Sequence, residues 1–200
     1  MSPIGLYEGL FGAFREHMLN DKPVSTQEIT TSIKRLFRNY FDSQFTVLCG
    51  HMNGSEYMAD VLVTSFNPKN IIQQNTLSLL PEHINIYLAV ESELGGKGGS
   101  SAYGVMKNVV EDYVKILILK AEFRVMVFTS LPYIGESDHV RNRVEVLRQL
   151  YKRASGLTSG VLLIHLNGTQ PRSTQVQASI ADHDIQGFLI SADGEAVHVL

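Results

Sequence analysis

Hydrophobic residues along the chain switch between helical spacing and the short apolar runs that are typical of buried strands. Apolar side chains recur at helical intervals over 5–19 and again over 25–42, which predicts two amphipathic helices at the start. Ser25 and Glu28 have capping-box spacing at the start of the second helix. The later pattern predicts further helices at 102–121 and from Asp138 onward, and strands at 45–52, 57–66, 84–94, 123–130, 160–166 and in 187–199.

Turn residues and element order set the expected topology. Asn53-Gly54 predicts a hairpin between the first two strands, and Asp193-Gly194 predicts another at the end of the chain. After residue 84, a strand, a helix and a further strand follow one another twice, which predicts parallel pairing with right-handed crossovers. The fold class is therefore α/β, with one domain over residues 1–200 and a mixed β-sheet flanked by helices.

The strand predicted over 84–94 ends in two acids, Glu91 and Glu93. Side chains alternate across a strand, so both acids are predicted on one face. The other face is predicted to carry Ile84, Ile86, Leu88 and Val90. Like charges side by side on an apolar strand raise its energy unless another charge or a function offsets them. Asp60 interrupts the apolar strand at 57–66 and needs a nearby donor for the same reason.

Composition narrows the classes of function. A chain of 200 residues with 44% hydrophobic and 18% charged residues is typical of a folded domain. Its formal charge of −3 provides no broad electrostatic footprint for nucleic acid. Lys34, Arg35 and Arg38 on the outer face of the second helix form a local basic cluster, which is either a solvated face or a contact for phosphates.

The single cysteine and the apolar runs bear on the cellular compartment. Cys49 alone excludes an intramolecular disulfide framework and a cysteine-based zinc site, and we expect it to be a small buried hydrophobic residue. The first residues lack the pattern of a secretory signal, and no apolar run approaches the roughly 18 residues of a membrane span. We therefore expect a cytoplasmic protein with no membrane partner.

Three carboxylates on neighbouring strands suit a magnesium ion, which prefers oxygen ligands. Asp60 and Glu91 are the predicted ligands, together with the backbone carbonyl of Ser92. Glu93 is placed either to hold a water as general base or to bind a second ion. A bound cation would also offset the repulsion that otherwise raises the pKa values of these acids.

The element order and these acids resemble the PD-(D/E)XK nuclease superfamily, the fold of many type II restriction endonucleases. The similarity covers about residues 25–131 and includes the helical sequence from Glu111-Asp112 to Lys115. It implies a restriction-endonuclease-like αβββαβ core with a C-terminal α/β extension over 132–200. It also implies an endonuclease that hydrolyses DNA phosphodiester bonds with Mg²⁺ or Mn²⁺.

The resemblance implies roles for individual residues. Asp60 matches the first acid of the family motif, Glu91 the second and Glu93 its third position, where some members carry glutamate. Glu28 corresponds to an acid that joins the site from a helix in some members, although it also fits a capping role.

Two departures from the family pattern leave the role of lysine open. No proline precedes Asp60, and the usual lysine is absent at Glu93. Lys107 and Lys97 are the candidates for a relocated lysine, and Lys115 is assigned mainly a packing role. The extension after residue 131 would serve substrate choice or dimer contacts, so a homodimer or a protein partner stays open beside DNA.

Two other functions remain as alternatives. The mild acidity and the missing lysine favour a non-catalytic partner-binding or subunit module on a nuclease-like scaffold. The glycine-rich segment 94–101 suggests a small-molecule phosphohydrolase or nucleotide-binding protein, although it lacks the Walker spacing and the dinucleotide-binding pattern.

Overall fold

A mixed β-sheet forms the centre of the computed structural model, which describes residues 3–41, 45–50, 58–67, 83–95, 101–167 and 180–200. Within these ranges the helices are α1 (Pro3–Asp21), α2 (Thr26–Phe41), α3 (Ala102–Ile118) and α4 (His139–Arg153), with a 3₁₀ turn at Asp182–Asp184. The strands are β1 (Thr46–Cys49), β2 (Val61–Thr64), β3 (Ile86–Glu93), β4 (Ala121–Phe128), β5 (Val161–Leu166), β6 (Ile185–Ile190) and β7 (Val197–Val199).

The seven strands lie side by side in the order in which they occur in the sequence. β1, β2 and β3 pair antiparallel, β3, β4 and β5 pair parallel, and β6 and β7 add two antiparallel strands. The predicted α/β class, the two parallel units with crossover helices and the C-terminal hairpin are therefore confirmed. The predicted turn at Asn53-Gly54 lies outside the described residues.

Helices cover both faces of the sheet. α1 and α2 enclose one hydrophobic core with Leu88 and Val90 of β3, and α3 and α4 enclose the other with Ala89. Cys49 is buried in the first core, as predicted. In the described parts of the chain, no helix combines the length and the hydropathy needed to cross a membrane.

The predicted alternation of β3 is wrong at its first residues. The pairing register between β2 and β3 shifts next to Tyr87, where Val63 pairs with Leu88 but Thr64 pairs with Ile86. Tyr87 and Leu88 both pack in the core under α1 and α2, whereas Ile86 packs on the α3 side. Tyr87 is thus an extra residue in β3, and such a bulge shifts the alternation of side chains between the two faces of the sheet. Ile86 therefore does not share a face with Leu88.

Several element ends also differ from the predictions. Asp60 comes just before β2 instead of interrupting it, and Ile84 is exposed ahead of β3. Tyr103 is 69% exposed in the first turn of α3. Asp138 caps α4 as predicted, since its carboxylate accepts a hydrogen bond from the backbone N–H of Arg141 at 3.4 Å.

Candidate active site

The predicted acids lie at one edge of the sheet, with the Asp60 side chain on one side of it and the Glu91 side chain on the other. β3 and β4 are parallel and both end at this edge, and the antiparallel β2 begins there. Val61 pairs with Val90, so Asp60 lies beside Glu91 and Ser92. Asp60 and Ser92, which are 32 residues apart in sequence, are thereby brought together by strand pairing.

Asp60 is held on the side of the sheet that faces α2. Its Oδ2 accepts hydrogen bonds from the backbone N–H of Ser92 at 2.9 Å and from the Ser92 hydroxyl at 2.5 Å. The ammonium of Lys34 lies 3.3 Å from Oδ1. Ser92 was predicted to offer its carbonyl to a metal, and here its N–H and hydroxyl position Asp60.

Lys34 is buried, which corrects its predicted place on a solvated face. Only 5% of the residue is exposed, because it borders the buried stripe of α2 that contains Ile33 and Phe37. A lysine stem can lie along apolar side chains while its ammonium reaches an anion. From the sequence, Asp60 was expected to need a nearby hydrogen-bond donor. This requirement was the one signal in the sequence that pointed to a buried partner such as Lys34.

Glu91 lies on the opposite side of β3, towards α3, and is 6% exposed. Its carboxylate accepts a hydrogen bond from the backbone N–H of Asp60, and the ammonium of Lys115 is 3.8 Å from its Oε1. Burial raises the pKa of Glu91 to about 8, and the nearby carboxylates of Asp60 and Asp112 add to this rise. Glu91 is therefore an acid whose negative charge is poorly compensated.

Glu93 and Asp112 continue the acidic group on the α3 side. The Oε1 atom of Glu93 accepts a hydrogen bond from the backbone N–H of Gly95 at 2.9 Å. Burial raises the pKa of Glu93, and the Asp112 carboxylate next to it has the same effect. Asp112 also forms an ion pair with Lys115, and this hydrogen bond raises the pKa of Lys115. We call Asp60, Glu91, Glu93 and Asp112 the acid cluster.

Comparisons with known proteins do not place the chain in a family. No family model matches it, and no curated protein or solved structure matches it either. The resemblance to the PD-(D/E)XK superfamily therefore stays a prediction.

The other predicted site residues lie elsewhere. Lys107 pairs with Glu111 at 3.6 Å on an exposed face of α3, about two turns before Lys115. Glu28 acts as a cap, because its carboxylate accepts a hydrogen bond from the Val24 N–H at 2.9 Å. Lys97 lies outside the described residues. Lys115, which had been assigned mainly to packing, is the lysine that reaches Glu91.

The acid cluster suits a divalent cation in donor type and in charge. Carboxylate oxygens are the ligands that Mg²⁺ and Mn²⁺ prefer. Among the described residues, however, no group of three or more His, Cys, Asp or Glu side chains is arranged to hold a metal ion. In the arrangement described above, Asp60 is paired with Lys34 and Glu91 with Lys115.

Proposed function

We propose that the chain is a metal-dependent endonuclease that hydrolyses DNA phosphodiester bonds, with Asp60 and Glu91 as ligands of Mg²⁺ or Mn²⁺. The observation that carries this proposal is the buried Glu91 carboxyl, whose pKa of about 8 reflects burial and nearby carboxylates. Strongly perturbed acids of this kind cluster at functional sites.

The charges of the site support a cation of charge two. When all four carboxylates of the acid cluster are ionised, Lys34 and Lys115 leave two negative charges uncompensated. Without a cation, a proton on Glu91 removes part of this excess, since its pKa is about 8. A divalent cation would take the place of that proton.

The order of elements supports the same proposal. α2, β1, β2, β3, α3 and β4 follow one another as in the αβββαβ core that the resemblance implies. Glu91, Ser92 and Glu93 occupy the end of β3, and Asp60 lies next to them before β2. The proposed site needs both this order of elements and these positions of the acids at the strand ends.

Each residue then has a distinct task. The bound cation would polarise phosphate oxygens and acidify a water. Glu93 accepts the proton of the attacking water, and the burial that raises its pKa makes it a stronger base. The ammonium of Lys115, 3.8 Å from Glu91, stabilises negative charge that develops on the phosphate. Lys115 would thereby replace the lysine that the sequence lacks at Glu93.

A pair of lysine variants on one helix tests this assignment. We expect the wild-type protein to nick supercoiled plasmid DNA with Mg²⁺ or Mn²⁺, and Lys115→Ala to lower the rate roughly 10²–10³-fold, the usual loss for a charge-stabilising group. Lys107→Ala, which removes an exposed ammonium from the same helix, is the matched control and should leave the rate close to wild type.

The nicking rates of the two variants show whether Lys115 or Lys107 has the catalytic role. A loss of nicking in Lys107→Ala with normal nicking in Lys115→Ala would give the catalytic role to Lys107, as predicted from the sequence. A wild-type protein that nicks DNA with neither metal would end the endonuclease proposal.

A non-catalytic partner-binding module is the second candidate. The ion pairs Lys34–Asp60 and Lys115–Glu91 are the observation that favours it, because they give both acids a cationic partner without a metal. In that case the acids serve stability alone, and a purified protein that neither nicks DNA nor binds Mn²⁺ would favour this candidate over the first.

A further inference from the structure

Asp112 on α3 contacts both Lys115 and Glu93, the groups that act on the phosphate and on the water in the proposed function. Its carboxylate forms an ion pair with the Lys115 ammonium and lies next to the Glu93 carboxyl. The Asp112 side chain is 18% exposed, whereas that of Lys115 is 50% exposed. Asp112 is therefore a largely buried anion in contact with the candidate base and the candidate catalytic cation.

Stability alone does not account for an acid at position 112. The carboxyls of Glu91 and Glu93 are buried, and besides burial the charge of Asp112 raises the pKa of each. A neutral side chain would reduce this repulsion. An ion pair between residues three apart on a helix contributes little to stability in return. An acid that adds to a local excess of negative charge is expected where function requires it.

Two anionic side chains face the ammonium of Lys115, and Asp112 is the nearer one. The ammonium donates a hydrogen bond to Oδ1 of Asp112, whereas Oε1 of Glu91 is 3.8 Å away, beyond hydrogen-bond distance. The hydrogen bond to Asp112 is also the largest cause of the raised pKa of Lys115, and the Glu91 charge has a smaller effect. Asp112 is therefore the principal partner of Lys115.

A lysine ammonium needs such a partner to act at a fixed point. The lysine stem is long and flexible and its ammonium is strongly hydrated, so a half-exposed lysine samples many positions. Asp112 lies one turn before Lys115 on the same face of α3. Tyr113 and Ile116, adjacent to them in sequence, are fully buried against the sheet, so the helix itself is fixed there. The ion pair therefore holds the ammonium relative to the strands.

The contact with Asp112 also bears on the cation. If Glu91 were the only anion that held Lys115, a cation bound to Glu91 would displace the ammonium by repulsion. The site would then lose the group that stabilises charge on the phosphate. With Asp112 as its partner, the ammonium keeps its place beside Glu91 when Glu91 binds a cation.

We propose that Asp112 is a positioning residue, which holds the Lys115 ammonium at the edge of the acid cluster and leaves Glu91 free to bind the divalent cation. This inference rests on the proposed function. Asp112 itself does not touch the substrate, and it acts through Lys115, which contacts the phosphate.

The ammonium signal of Lys115 tests the contact in the metal-free protein. Proton–nitrogen NMR detects a lysine ammonium when an ion pair slows its exchange with water, and Lys115→Ala identifies the signal. We expect the signal in the wild type and in Glu91→Gln, and its loss in Asp112→Asn. A signal that is kept in Asp112→Asn and lost in Glu91→Gln would make Glu91 the partner and overturn the proposal, as would a wild type without the signal.

Nicking kinetics at saturating Mg²⁺ test the consequence for the reaction. We expect Asp112→Asn to lower kcat roughly 10–100-fold, the loss that follows misplacement of a catalytic group, with KM for plasmid DNA close to wild type. Asp112→Glu keeps a carboxylate for Lys115 and should recover much of the rate. Glu111→Gln removes a neighbouring exposed acid from α3 and is the matched control, with wild-type kinetics expected.

Combination with Lys115→Ala separates positioning from a direct role. If Asp112 acts through Lys115, Asp112→Asn causes no further loss of rate in the Lys115→Ala protein. Losses that multiply, or a wild-type kcat in Asp112→Asn, would overturn the proposal. A wild type that shows the ammonium signal but nicks DNA with neither Mg²⁺ nor Mn²⁺ would end the endonuclease proposal, whereas the contact that holds Lys115 would be confirmed by its loss in Asp112→Asn.

Discussion

Glu91→Gln is expected to raise the unfolding temperature of the metal-free protein at pH 8 and, at the same time, to slow metal-dependent cleavage strongly. The folded-state pKa of Glu91 is about 8, above its ordinary value of 4.5. The folded protein therefore binds more protons than the unfolded chain between these values, and the stability contributed by the protonated carboxyl is lost as pH rises through about 8. Glutamine keeps the shape of the side chain without the buried charge.

The measurement is thermal unfolding from pH 5 to pH 8 without divalent ions. Glu91→Gln should unfold at least about 2–4 °C higher than the wild type at pH 8, equivalent to about 1 kcal/mol in a chain of this size, and close to it at pH 5. Its nicking rate should fall roughly 10²–10³-fold. Glu111→Gln changes an exposed acid on α3 and serves as the control. An unfolding temperature no higher than wild type at pH 8 would contradict the burial of a poorly compensated charge.

Asp60→Ala is expected to lower the unfolding temperature by about 6–20 °C. Lys34 is 5% exposed and has Asp60 as its partner at 3.3 Å, so alanine leaves a buried ammonium without this partner. Breaking a buried ion pair from one side costs about 3–5 kcal/mol, which gives this range of temperature in a chain of this size. Because Asp60→Ala also destabilises the fold, a loss of nicking in this variant would not by itself show whether Asp60 binds a metal or only supports the structure.

Three companion variants complete the experiment. Asp60→Asn keeps an oxygen that can accept the hydrogen bonds of Ser92. Lys34→Met is made alone and combined with Asp60→Ala, where it removes both charges. We expect the double variant to recover much of the stability that Asp60→Ala loses, as measured by a double-mutant cycle. Additive losses in the cycle would show that Lys34 and Asp60 do not interact.

Periodic patterns allowed most of the fold to be predicted from the sequence. The helices and the parallel strands have long apolar repeats, so their existence and order follow from local spacing. The proximity of the Asp60 and Glu91 backbones also followed, because pairing of β2 with β3 brings the two segments to one edge. Their side chains lie on opposite sides of β3, towards α2 and α3. The shift at Tyr87 did not, since a local bulge depends on packing around the Tyr87 ring, which stacks on Phe45 at 4.6 Å.

The cations of the site were harder to predict. Lys34 follows the surface pattern of its helix, and its burial depends on how α2 docks on the sheet. Lys107 and Lys115 lie on one helix about two turns apart, and which of them reaches Glu91 depends on how far α3 extends past the end of β3. The docking of α2 and the extent of α3 past β3 both depend on tertiary packing, which the local spacing of residues does not specify.

The most direct test of the proposed site is the titration of the protein with Mn²⁺ in a calorimeter at pH 7, in two buffers with different heats of ionisation. Glu91, with a pKa of about 8, is mostly protonated at this pH, and a cation must displace its proton. We predict saturable binding with release of about one proton per ion, and loss of that release in Glu91→Gln. No binding, or equal proton release by wild type and Glu91→Gln, would contradict a metal site at Glu91.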